Sequence, residues 1–215
     1  YHRTKQEISK RNNLHQWTTG VRYSLHHKSS SGGINAVAYQ FSMPLVVTAK
    51  AYDRNSINSN FWMNASVDYS FYLHNWHFFT ENAIDKKGAY AGLFGGLLSL
   101  TKQLDVGLLL RMLSKKYQSL YATSFTESSL PSNENGFFFC INASPFSKLQ
   151  LHLFADVFCF PWLRYTINHP SVGMENLLQL TYRPTKSEEF LILARAEQKD
   201  HNVSSADAPG PIKAV

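Results

Sequence analysis

The sequence predicts an all-β chain: an antiparallel up-and-down transmembrane β-barrel, or part of one, with about ten strands in this segment. Three observations predict it. Apolar residues recur at every second position through most of the chain from Trp17 to Glu197, which is the period of a strand. Many of these runs last about nine to twelve residues; a mean soluble strand has roughly 5–6, and a tilted strand crossing a bilayer needs about 9–11. Charges inside the runs keep to one side. Arg22, Asp68, Glu81, Asp105, Arg111, Asp156, Glu175, Arg183, Arg195 and Glu197 fall opposite the apolar stripe, which carries none. Lipid admits a charge only at a cost, whereas a polar lumen tolerates it.

The elements follow in order. Residues 1–14 are polar and unpatterned, and are expected to be a connector or strand end from an upstream part. The barrel segment is expected over 15–199. Trp17 to Leu25 alternates, and Lys28 to Gly33 reads as a turn. In Ile34 to Met43 the stripe is Val37, Tyr39, Phe41 and Met43; Pro44, with no N–H to donate, ends the run. Leu45 to Ser59 reads as a long loop, with room for a short strand at Leu45 to Ala51. Phe61 to Phe71 is the cleanest alternation, followed by a tight turn at Leu73-His74-Asn75. Trp76 to Ile84 leads to a hairpin turn at Asp85 to Gly88. Ala89 to Leu100 is apolar on both faces, and Gly92, Gly95 and Gly96 mark close approach or a bulge.

In Leu104 to Met112, Val106, Leu108, Leu110 and Met112 share one face, and Asp105, Gly107, Leu109 and Arg111 the other. A polar loop, Lys115 to Gly136, separates this strand from Phe137 to Ala143. Ser144 to Ser147 turns into Leu149 to Phe160. Pro161 to Val172 is a second long loop, then come Met174 to Arg183 and Phe190 to Glu197. Residues 200–215 read as a loop or tail. Short turns near His74, Lys102, Pro145 and Thr185 thus alternate with long loops near Asp53, Ser124 and Asn168, the Asp85 turn being the exception, and this is the asymmetry of outer-membrane barrels. Trp17, Trp76, Phe137, Phe160, Trp162 and Tyr182 stand near strand ends, where interfacial girdles would lie. A soluble sandwich or ligand-binding barrel also alternates; its outer face usually carries many Lys and Glu, which are scarce in these runs.

The chain has 215 residues and a net charge of +6. Its cations gather in the N-terminal segment and in turns, forming neither a helix face nor an aromatic-basic platform for nucleic acid. No apolar run approaches the roughly 20 residues of a membrane-spanning helix. The two cysteines, Cys140 and Cys159, make no disulfide framework. No Cys/His set has metal-ligand spacing, and neither a metal nor a cofactor is expected. Gly-x-Ser-x-Gly elbows, phosphate loops and paired-carboxylate signatures are absent. Ser128-Ser129, Glu127 and His169 are the nearest thing to a nucleophile with a base, and no catalytic activity is expected.

Ordered blocks between Phe61 and Lys199 carry a family resemblance. They are Asn64-Ala65-Ser66-Val67-Asp68-Tyr69, Ala83-Ile84-Asp85-Lys86-Lys87-Gly88, Tyr117-Gln118-Ser119-Leu120-Tyr121-Ala122, Phe125 with Glu127-Ser128-Ser129, Asn133-Glu134, Phe160-Pro161-Trp162-Leu163-Arg164-Tyr165, and Leu177-Leu178-Gln179-Leu180-Thr181-Tyr182. In these the chain resembles the C-terminal outer-membrane β-barrel region of Bacteroidota-type helix-hairpin-helix domain proteins. It departs from that pattern at Thr123, where the family often has Asn, and at Thr126, where it usually has a small residue. The resemblance implies a Gram-negative outer-membrane location, no catalytic residues, and DNA contact only through a helix-hairpin-helix part upstream.

The functional expectation is an integral outer-membrane barrel segment serving as scaffold or pore of a larger envelope protein. Its partners would be the lipid bilayer and lipopolysaccharide. The alternatives are a membrane anchor for a DNA-uptake or DNA-binding envelope protein, and a soluble ligand-binding barrel. Asp68, Glu81, Asp105, Arg111, Asp156 and Glu175 are expected to face the lumen, where they line a channel, hold a plug loop, or simply balance charge in a small wet interior. The Leu120–Gly136 loop is too long for a hairpin, and long ordered loops often carry function. Tyr121, Phe125, Glu127, Asn133 and Glu134 are its candidates, with Trp162 and Arg164 in the next loop. The loop either folds inward, with Glu127 meeting Arg111 or Arg164, or lies exposed.

Overall fold

The computed structural model describes residues 4–9, 13–47, 50–165 and 167–202. A five-residue helix α1 (Lys5–Ser9) precedes ten strands: β1 (Gln16–His27), β2 (Ser30–Phe41), β3 (Phe61–Leu73), β4 (Trp76–Asp85), β5 (Tyr90–Thr101), β6 (Leu104–Leu113), β7 (Glu134–Phe146), β8 (Leu149–Phe160), β9 (Ser171–Tyr182) and β10 (Phe190–Lys199). They form one antiparallel sheet in sequence order, the up-and-down arrangement that the alternation predicts. The stretch at Leu45 to Ala51 forms no strand among the described residues; a single 3-10 turn, Ala51–Asp53, interrupts the loop. Of the 200–215 tail, only Asp200, His201 and Asn202 are among the described residues.

The sheet is strongly curled. The Trp162 indole N–H, in the loop after β8, donates to the Ala51 carbonyl in the loop after β2, at 3.2 Å. Those loops are six strands apart, which in a flat sheet is roughly 30 Å. No ladder joins β1 to β10 among the described residues, and β1 is exposed along its whole length, β10 at every residue but Lys199.

The curl gives the sheet two unlike faces. On β6, Gly107, Leu109, Arg111 and Leu113 are buried while Leu110 and Met112 are exposed. Following the register from strand to strand puts every Asp, Glu, Lys and Arg of β1 to β10 on the inner face. The outer face carries none of them; it shows Val21, Ile34, Val67, Ile84, Leu110, Phe137, Val157, Leu178 and Ile192 to the surroundings. Near the tight turns its aromatics stack as Tyr69, Phe71, Phe78 and Trp76 on β3 and β4.

Several boundaries and one face differ from the sequence reading. Gly32 and Gly33 lie in β2, not in a turn, and the Lys28-Ser29 hairpin is tighter than expected. The turn at Ser144 to Ser147 is shorter too: β7 runs on to Phe146 through a register shift after Ala143. The stripe of β2 is reversed. Tyr39 and Phe41 are buried on the inner face, packed with Trp62 and Ile57, while Ile34 is exposed outside. Uncharged β2 offered no charge to sort its faces, and its large aromatics answer to the loops folded within. Phe160, expected in a girdle, is likewise buried inside, only 1% exposed.

Candidate functional site

All the long connections leave from one end of the sheet: 42–60 after β2, 114–133 after β6 and 161–170 after β8. The other end has the tight turns. Nearly all buried residues cluster at the loop end, among them Trp62, Asn64, Asp85, Arg111, Glu134, Tyr117 and Phe158. Toward the turns, inner-face residues such as Leu97, Ser99, Asp105 and Asn142 stay exposed. The loop end is therefore filled by its own loops, and the turn end is hollow.

The centre of the filled end is an ion network built on β6, β7 and β8. Arg111 sits opposite Gly136 in the β6–β7 register. A Cβ at Gly136 would collide with the guanidinium, so the glycine lets Arg111 lie flat across β7 and reach β8. There its Nη1 and Nη2 donate to the two Asp156 oxygens at 2.9 and 3.0 Å, a planar fork matched to a carboxylate. Its Nε donates to Glu134 at 2.5 Å. Arg111 and Glu134 are wholly buried, and the Phe125 and Phe158 rings flank the guanidinium.

Glu134 also holds the loop. Its carboxylate accepts the backbone N–H of Glu127 at 3.0 and 3.1 Å and that of Ser128 at 3.3 Å. A buried carboxylate with one arginine and several N–H donors is a satisfied group, which a lone buried charge is not. The Glu127 side chain pairs with Lys199 at the end of β10, not with Arg111 or Arg164 as the sequence suggested. Lys199 arrives on the inner face of β10 beside Glu197 and Arg195, while the Arg111 nitrogens are taken by Glu134 and Asp156. Arg195 in turn binds Glu175 at 2.8 Å. Asp156 and Glu175 stand directly opposite each other, each neutralised by its own arginine.

The start of the same loop is fixed against β3 and β4. Trp62 Nε1 and Asn64 Nδ2 both donate to the Gln118 carbonyl, at 3.0 and 2.8 Å. Asp85 gathers the backbone N–H of Lys87, Ala89 and Gln118, helped by Gly88 in the left-handed region at φ 76°. Tyr117 is buried between Ala91 and Leu113, and that burial raises its phenol above the usual range. At the far end Asn133 binds the Trp162 backbone through both ends of its amide, at 2.8 and 3.0 Å. Tyr121 donates to the Gln16 side chain at 2.7 Å. The loop thereby touches both edge strands, β1 through Tyr121 and β10 through Glu127.

The remaining candidates sit apart. Asp68 on β3 binds Asn35 at 2.9 Å and Arg22 at 3.5 Å, in space left by Gly33. Glu81 is exposed on the inner face, and Asp105 accepts from Ser99 at 2.7 Å near the turns. Phe125 packs edge-on against Phe138. Trp162 lies in the loop cluster, not in a girdle, and Arg164 lies on the Phe160 ring. Glu134, expected in the loop, is the first residue of β7, because its inward carboxylate pairs across to β6. Ser128 and His169 share no hydrogen bond among the described residues; the His169 ring meets the Pro170 carbonyl. Sequence reasoning missed Lys199, Asp85 and Gly136. Lys199 had a signal, since it continues the inward parity of Arg195 and Glu197.

No protein-family model matches the sequence, and no curated protein matches it. Among solved structures the chain is similar to a NanC porin at 13% identity and a TM-score of 0.37, over 87% of this chain and 82% of the porin. A superposition at that score is too loose to assign a fold, which rests here on the strand order and register.

Proposed function

We propose that this chain is an integral outer-membrane β-barrel segment whose loop end is closed by its own loops, a scaffold for a larger envelope protein more than an open pore. The observation that carries the reading is the sorting of charge. Ten strands turn every ionisable acid, Lys and Arg inward, and a soluble sheet of this size has no reason to do so. A midplane Arg or Lys facing lipid costs about 2–4 kcal/mol, so a bilayer supplies the reason. Strands of 10 to 13 residues have the reach to cross when tilted. The strand-built span and the resemblance to helix-hairpin-helix protein barrels support an outer membrane as its place.

The test is refolding into lipid vesicles. Folded protein should co-float with the vesicles and migrate as a heat-modifiable band, and without lipid or detergent it should aggregate. A sharp monomer peak with β-type circular dichroism in plain buffer would sink the membrane reading.

A further inference from the structure

Arg164, in the loop after β8, makes no ion pair among the described residues. The carboxylates nearest it are committed elsewhere: Glu134 to Arg111, Glu127 to Lys199, and Asp200 to the Val172 N–H. Its guanidinium lies on the Phe160 ring at 3.7 Å, with Nε buried and without a hydrogen-bond partner. Burial disfavours its charge. The residue lines a cleft of about 420 Å³ between the three long loops, walled by Tyr52, Trp162 and Tyr165 and also bordered by Asp53 and Lys115. Ser56, Ser129 and Ser132 line the same cleft, and their hydroxyls make no hydrogen bond among the described residues.

We propose that this cleft binds a monocarboxylate carried on a hydroxylated solute, with Arg164 as the carboxylate fork and the serines as partners for the hydroxyls. A guanidinium matches a planar carboxylate with two parallel N–H donors. A phosphate dianion suits the place less well, because Asp53 borders the cleft and Glu127, Glu134 and Asp200 stand close enough to act on Arg164. Lys115, whose ammonium rests 4.3 Å from the Trp162 ring centre, adds the second positive charge. The bland alternative is that Arg164 only props Phe160 through its cation–π contact.

Equilibrium dialysis of the full chain, folded in detergent micelles, tests this with labelled gluconate as the probe at fixed ionic strength. Saturable binding is expected, with inorganic phosphate competing at least tenfold less well than unlabelled gluconate. Arg164→Gln should weaken gluconate at least tenfold, and Arg164→Lys should fall between, keeping the charge and losing the fork. Heat-modifiable migration reports whether each variant is folded. Should Arg164→Gln not fold, Ser129→Trp at an exposed cleft position gives the second reading, and it too should weaken binding at least tenfold. Absence of saturable binding, phosphate binding as well as gluconate, or folded variants binding like the parent would each overturn the proposal. None of these outcomes bears on whether the sheet spans a bilayer.

Discussion

At the scale of single residues, Arg111 has the most at stake. It is wholly buried, and so is Glu134; removing the guanidinium leaves Glu134 as a buried charge without its ion-pair partner, and strips Asp156 of its fork. Arg111→Met should therefore cost about 3–5 kcal/mol. Adding Glu134→Gln removes one of the two orphaned charges, Asp156 keeping the other, yet retains an oxygen for the Glu127 and Ser128 N–H groups. The double variant should recover part of the loss, with a coupling of about 0.5–3 kcal/mol. Denaturant midpoints in micelles measure both, and strictly additive losses would show that the pair is not coupled. Gly136 belongs to the same unit: Gly136→Ala must displace the guanidinium, and should destabilise by about 1–3 kcal/mol through strain and a broken fork. A Gly136→Ala protein as stable as the parent would mean that Arg111 does not lie where the glycine makes room for it. Arg111 and Asp156 stood out in the sequence as charges in apolar strands. Their pairing did not, because it depends on register across three strands and on one missing Cβ.

The 114–133 loop is the element on which the closed end depends. Its two attachments are unequal. The Glu127–Lys199 pair is about one-fifth exposed on each side, and such a pair contributes about 0–1 kcal/mol. Glu134, wholly buried, anchors two backbone N–H groups. Glu134→Ala should thus open the loop to protease and raise single-channel conductance in planar bilayers, whereas Glu127→Ala should change either only slightly. Equal effects from the two would place the anchor at Lys199 instead. Of the elements, β8 was legible to the residue, Leu149–Phe160, because its alternation is unbroken and Asp156 marks the inner side. The start of β7 was not: Asn133-Glu134-Asn135-Gly136 reads as a turn by composition, and only the inward carboxylate explains why it is a strand. The faces of β2 were hidden for the opposite reason, since large aromatics suit lipid and a packed interior equally.

At the scale of the whole molecule, the two faces and the two edges decide what surrounds the sheet. An even number of antiparallel strands lets β1 and β10 run antiparallel to each other, as closure within one chain requires. In lipid, an uncovered edge would leave backbone groups unpaired at several kcal/mol each. The outward amides of β1 and β10 should accordingly exchange hydrogen in vesicles as slowly as those of β5; exchange at loop rates would show edges open to water. The faces permit a sharper comparison. Leu108 on β6 points outward, opposite Gly96. Leu97 on β5 points inward in the hollow half and is 48% exposed. The two belong to neighbouring strands at adjacent register positions, so they differ chiefly in face. Leu109, though inward, is packed, so an arginine there would be costly whatever lies outside the sheet. Leu108→Arg should lower folding stability in vesicles by about 2–4 kcal/mol if its site lies near the midplane, and Leu97→Arg should be nearly neutral because its head reaches water in the interior. Heat-resistant folded fraction after refolding reads both. A larger loss from Leu97→Arg would mean that the convex face meets water, and the charge sorting would then need a cause other than lipid.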